Sequence, residues 1–552
     1  MRTAGWGFSL SVLLTGAILA AQTAPPSSSA TDQPTTVIRS NTRLVQVSVV
    51  VRDKSGKPVT HLTKEDFTVF DEGRPQHIAF FGSEAPAVPA PVTPGHLPPN
   101  FFTNRFDLKG QDPGQVTIVL FDTLNTSFED QAWVRGQIIR FLQHVSPEDH
   151  VALYGLNTLL IVLQDFTQDS SALLNAVKSF TPKELAAFDV SHPGDFDVPA
   201  LHDDPAWMKF QARVNEANQM ISDQYKVNRV NATIAAIESI ANHVAGIPGR
   251  KNLVWVSGGF PMEIGMGVIA PDRDTRLLNP NAAKALSSVS MAIYPIDAHG
   301  IENPGMGPSM QSPGKANESF FERQSNRDSF RLLADATGGK AFYGSNDVAD
   351  AARRAFDDGR YSYTLGFYPD HGKWDGKYRK IKVTLKTPAA QVRYRKGYFS
   401  YPDRPADEEK IKAELLDVAV SPLDATNLAM LISVKPVAPP EKRDLDLRIE
   451  MDPKQFLLSF ADGHDTGALD MYYLQRDAQG KILAADKHRL GLSFEPKQYE
   501  FLAKAGIIFE SHLTMQADTS EIRVVIRDAG SGAMGSVTMP VKSFAPPTPA
   551  AN

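Results

Sequence analysis

Between Val116 and about residue 345 the chain alternates short, uninterrupted apolar runs with stretches of helical period, and this alternation restricts the possible folds more than any other feature. Val116 to Phe121, Val151 to Leu156, Leu253 to Val256 and Met291 to Ile296 read as strands buried on both faces, with Leu159 to Leu163 as a further strand. Ser127, with Asp130 three residues on, reads as the N-cap of a helix that carries Val134, Ile138, Phe141 and Val145 on one face and stops at Ser146-Pro147. Leu173, Leu174 and Val177 mark a short helix. Val230, Ile234, Ile237, Ala241 and Val244 recur at spacings of four and three, and that pattern ends before Gly246 and Pro248. Ala282 to Leu286 and Val348 to Phe356 are also helix-compatible. Strands alternating with helices predict an α/β unit: a doubly wound, mainly parallel sheet with helices on both faces and ligands at the carboxyl ends of the strands.

The 552 residues are enough for three or four folded units, and the flanking patterns differ from the centre. Residues 1–21 carry one early positive charge, an apolar stretch too short to span a membrane and then small residues, the layout of a signal peptide. Residues 22–37 read as a disordered leader and 38–85 as an N-terminal β module, with Val45, Val47, Val49 and Val51 alternating down one strand. A proline-rich linker occupies 86–112 and the α/β domain 113–359. Strands in 360–402 would complete the N-terminal β module, so that the α/β domain is inserted into it. Residues 403–545 read as a C-terminal β-sandwich, no helical pattern intervening after about Val418, and 546–552 as a tail. Arg52-Asp53 with Gly56, Arg476-Asp477 with Gly480 and Arg527-Asp528 with Gly530 echo one another, as tight turns do wherever they occur.

The chain has no cysteine, which excludes disulfides, thiolate metal sites and cysteine nucleophiles. Its net charge of −6 argues against a general nucleic-acid binder. Residues 371 to 399 concentrate nine Lys or Arg with interleaved aromatics, which fits a solvated strand face, and an exported chain meets little nucleic acid. Neither a G-x-S-x-G elbow nor an H-E-x-x-H pair is present, and Ser257-Gly258-Gly259 is a weak phosphate-turn candidate. Asp297-Ala298-His299 would share the strand crest with Asp122, where turn hydrogen bonds are the simpler role.

The most informative segment is Asp122-Thr123-Leu124-Asn125-Thr126-Ser127, a carboxylate and several oxygen-bearing side chains between an apolar strand and a helix. Its place resembles the Asp-x-Ser-x-Ser loop of von Willebrand factor type A (VWA) domains. Residues 44–73, 246–261, 292–300 and 333–343, followed by Tyr363 to Pro369, resemble the acidobacterial VWFA-related family of exported proteins. The resemblance implies a VWA-like domain flanked by β-sandwiches and a Mg²⁺ or other divalent-cation site using Asp122, Asn125 and Thr126. It also departs from the pattern: Leu124 stands at the first Ser, Ser257-Gly258-Gly259 replaces the usual Asp-Gly, and Thr233 falls within an amphipathic helical pattern that suggests a helix-surface role. A hard cation wants about six oxygens, so lost ligands matter. The expected function is a non-enzymatic, extracytoplasmic binding or adhesion module, periplasmic or secreted, with a protein or envelope ligand and no transmembrane segment in the mature chain. The alternatives are a hydrolase or other enzyme using the same crest and a structural envelope protein whose metal site is lost.

Overall fold

The computed structural model describes residues 44–84, 97–109, 115–146, 149–181, 205–247, 249–259, 291–299, 326–344, 347–371, 374–386, 391–400, 408–437 and 443–544. The signal segment, the leader, the Ala282 to Leu286 stretch and the tail lie outside them. The described chain is mixed α/β, with one mixed sheet and several antiparallel sheets.

In the mixed sheet the strand Val116–Asp122 is central. Lys251–Ser257 and Val151–Leu156 flank it in parallel, Met291–Asp297 extends the sheet in parallel on one side, and Leu160–Thr167 closes the other edge antiparallel. Alternate residues of the central strand enter different cores. Ile118 and Leu120 pack with Ile237, Ile240 and Val244 of the long helix Pro205–Val244. Val119 and Phe121 pack with Val134 and Ile138 of the helix Phe128–Leu142 and with Ala352 and Phe356 of the helix Val348–Arg360. Burial on both faces is why these strands have no polar face to show in sequence.

Val45–Arg52 pairs on one side with Ser362–Phe367 and on the other with Gln391–Tyr394, and Ile78–Glu84 adds to the far edge of Ser362–Phe367. Phe67–Asp71 pairs with Tyr378–Leu385 in a second sheet. The two sheets enclose Val47, Val49, Val69, Leu365, Phe367 and Val383. Segments on either side of the α/β region thus share sheets.

The C-terminal strands form two further antiparallel sheets around a core that includes Ile432, Ile449, Leu469 and Val524. Two features depart from the sequence reading. Phe101–Thr103, inside the stretch read as a proline-rich linker, is an edge strand on Met430–Pro436, held by Thr103 Oγ1 donating to the Met430 carbonyl at 2.6 Å. The neighbouring Asn104 is buried and donates to the Ala425 and Leu428 carbonyls. A three-residue strand carries too little period-2 signal to be read from sequence. The second is the helix Pro496–Ala505, which follows Val418 and rests on the C-terminal core through the half-buried Tyr499 and Leu502 with no residue fully buried, too narrow a stripe to announce it. Among the described residues no helix is long and apolar enough to cross a membrane.

Candidate functional site

Asp122 ends the central strand, and the chain folds back at once so that Ser127 caps the next helix, accepting from the Asp130 amide at 3.3 Å. The tips of the neighbouring parallel strands, Ser257 and Asp297, stand beside it in register. Sheet order alone therefore gathers Asp122, Asn125, Thr126, Ser257 and Asp297 along one crest, where an α/β sheet ordinarily presents its ligands.

The side chains there are already engaged with one another. Asp122 is wholly buried, and its Oδ1 accepts the Asn125 backbone N–H at 3.0 Å. Its Oδ2 accepts from Asn125 Nδ2 at 2.8 Å, Trp255 Nε1 at 3.0 Å and Ser257 Oγ at 2.8 Å. Thr126 Oγ1 donates to the Asp122 carbonyl at 2.5 Å and accepts the Gly258 N–H at 2.9 Å. That contact brings two crest loops together so closely that a Cβ at Gly258 would lie 2.8 Å from the Asn125 carbonyl oxygen. Asn125 Nδ2 donates also to Thr233 Oγ1 at 2.9 Å, while Arg229 Nε donates to Asn125 Oδ1 at 3.2 Å. Burial pushes the Asp122 carboxyl above the usual carboxylate range, opposed by the hydrogen bonds from Asn125, Ser257 and Trp255.

Thr233 does not lie on the outer surface of its helix. It is fully buried, on the stripe that continues through Ile237, Ile240 and Val244, and it accepts from Asn125 in the loop after the central strand. The spacing of four, three and four from Thr233 is the signal that places it inward. Trp255 and Arg229 are the crest residues that sequence reasoning passed over. Trp255 sits two residues before Ser257 on the same face of a buried strand, and a buried indole N–H needs an acceptor. Asp297 is drawn into turn contacts: its Oδ1 accepts the His299 N–H at 3.0 Å and lies 2.9 Å from His299 Nδ1, and Arg327 Nε stands 3.7 Å from its Oδ2.

These residues do not fit a divalent cation. A Mg²⁺ ion needs oxygen lone pairs converging on one point, whereas the Asp122 oxygens face N–H and O–H donors and the Thr126 and Thr233 hydroxyls are spoken for. The Trp255 N–H is a donor only and offers a cation nothing. Two apolar side chains stand at the same end of the sheet and point outward: Phe128, at the start of the helix, is 51% exposed, and Leu159, in the hairpin after Val151–Leu156, is 74% exposed.

No protein-family profile matches the chain. No curated protein matches it significantly. Solved structures similar to it include an aerotolerance-related membrane protein from Bacteroides fragilis, at 13% identity and a TM-score of 0.23 over 44% of this chain and 98% of that one. The conserved hypothetical protein BatB from Bacteroides thetaiotaomicron is similar at 11% identity and a TM-score of 0.22, over 44% of this chain and 98% of that one. The pilus adhesin SpaC from Lactobacillus rhamnosus is similar at 9% identity and a TM-score of 0.23, over 78% of this chain and 54% of that one. At these scores none of the three bears on what this chain does.

Proposed function

We propose that this chain is a non-enzymatic, extracytoplasmic binding or adhesion module built around a VWA-like domain, whose crest is held by hydrogen bonds in the place where a divalent cation would sit. Three features support the reading. The signal-like first 21 residues direct the chain outward. The central parallel strand ends at Asp122, at the start of the loop whose sequence resembles the VWA metal loop. The observation that carries the metal-free form is the set of four donors on the Asp122 carboxylate. In this reading the network fixes the crest loops in one shape, and a protein or envelope ligand is gripped by the rim around it, with Phe128 and Leu159 as apolar contacts.

Calorimetric titration of the full chain with Mg²⁺ and Mn²⁺ tests it. The expected result is no binding heat for wild type or for Asp122→Ala, together with ligand capture from envelope extracts that survives chelator. Saturable binding by wild type that disappears in Asp122→Ala would overturn the metal-free crest.

A further inference from the structure

The long helix Pro205–Val244 meets the C-terminal region along a seam that has two unlike parts. At the carboxyl end of the helix the seam is stitched tightly. The Gly246 N–H donates to Thr426 Oγ1 at 2.8 Å, Thr426 Oγ1 donates to the His243 carbonyl at 2.8 Å, and the Thr426 N–H donates to the Asn242 carbonyl at 3.0 Å. One to two turns back, the same seam opens into a cleft of about 200 Å³ between the long helix and the helix Glu408–Val420. Glu238 enters it from the long helix, and Glu414 and Asp417 enter from the opposite helix. The remaining polar lining, Ser239, Asn242 and Asn427 among it, is uncharged, and among the described residues no Lys, Arg or His lines the cleft. Glu238 Oε1 is buried and has no hydrogen-bond partner among the described residues.

Three carboxylates facing one another without a cation cannot all be charged at low cost, because like charges in a partly dry space repel. We infer that this cleft is a pH-sensitive latch, in which protonated Glu238 lets the C-terminal region close on the long helix and ionised Glu238 loosens the contact. Burial first, and then the charges of Asp417 and Glu414, push the Glu238 carboxyl up from 4.5 to about 7. Burial and Glu414 raise Asp417 as well. The sign follows from linkage: with its pKa raised in the closed form, Glu238 favours closure fully below its ordinary value, and that contribution is lost as the pH rises through about 7. The inference does not depend on what the crest binds.

The stitches supply the readout. Exchange of the Gly246 and Thr426 amides, corrected for intrinsic rates, reports the opening constant of the seam in the full chain. With the Glu238 carboxyl at about 7 in the closed seam and at its ordinary 4.5 in the open one, opening is expected to increase by at most about tenfold between roughly pH 6 and pH 8. In Glu238→Gln the same constant should change less than about twofold. The double variant Glu414→Gln, Asp417→Asn leaves Glu238 in place and should move the transition to higher pH than an exposed glutamate shows but below that of wild type. A wild-type constant that stays flat with pH, or an equal rise in Glu238→Gln, would overturn the latch.

Discussion

The α/β region meets a β-rich neighbour on each side, and the two junctions are made of opposite chemistry. Towards the N-terminal sheets, Asp358 on the helix Val348–Arg360 is buried between two guanidinium groups. Arg52 donates to its Oδ1 from Nε at 2.9 Å and from Nη2 at 2.6 Å, and Arg393 donates to its Oδ2. Arg250, only 1% exposed, crosses the same junction to donate to Ser48 Oγ at 2.7 Å. Towards the C-terminal sheets Thr426 bonds to the Gly246 N–H and the His243 carbonyl, the His243 ring Nδ1 lies 2.7 Å from the Asp424 carbonyl, and the charged residues lining the cleft are, among the described residues, all acidic. A junction whose buried carboxylate is held by two guanidinium groups keeps that pairing at any ordinary pH. One stitched by neutral bonds beside unmatched carboxylates can be adjusted by protons.

Substitutions can break or sharpen this contrast. Asp358→Asn keeps the shape but leaves Arg52 and Arg393 without their shared anion, and we expect a loss of about 3 kcal/mol in chemical denaturation, read as early release of the N-terminal sheets. An unchanged midpoint would mean that the two arginines are solvated well enough to do without Asp358. Gly246→Ala should cost about 1–3 kcal/mol, because the new Cβ would lie 2.6 Å from the Thr426 carbonyl oxygen. Its effect should appear as faster amide exchange at the C-terminal seam while the Asp358 junction stays protected. Thr426→Val should be mildest, at about 1 kcal/mol, since it removes one acceptor and one donor at nearly constant volume. If Thr426→Val proved as costly as Asp358→Asn, the two junctions would not differ in the way proposed.

The parts of the molecule that could be read from residues are those governed by local repetition. The apolar runs at Val116, Val151, Leu253 and Met291 lie in strands buried along their whole length. Ser127 caps its helix as its spacing from Asp130 requires. The echo of Arg-Asp with Gly is turn chemistry in all three copies, Asp528 accepting the Gly530 amide at 3.4 Å and the Ser531 amide at 3.0 Å in the last. Asp53 Oδ1 accepts the Ser55 and Lys57 amides with Gly56 at φ +83°, and Asp477 Oδ1 accepts the Gln479 and Lys481 amides with Gly480 at φ +81°. The edge strand Phe101–Thr103 and the surface helix Pro496–Ala505 escaped notice because neither repeats long enough, or buries enough, to leave a period.

By itself, then, the sequence determined the long, strongly periodic helices and the strands buried on both faces, and that Asp122 ends a strand and precedes a helix. It did not determine what Asp122 meets. Trp255, Ser257 and, through Asn125, Thr233 come to that carboxylate from 133, 135 and 108 residues along the chain from their partners. The order of strands in the sheet brings them there. Periodicity reports that a side chain is buried, but the choice of partner depends on which strands are neighbours and in what register. Only the tertiary structure decided that donors surround the crest carboxylate, and that three like charges share the C-terminal cleft.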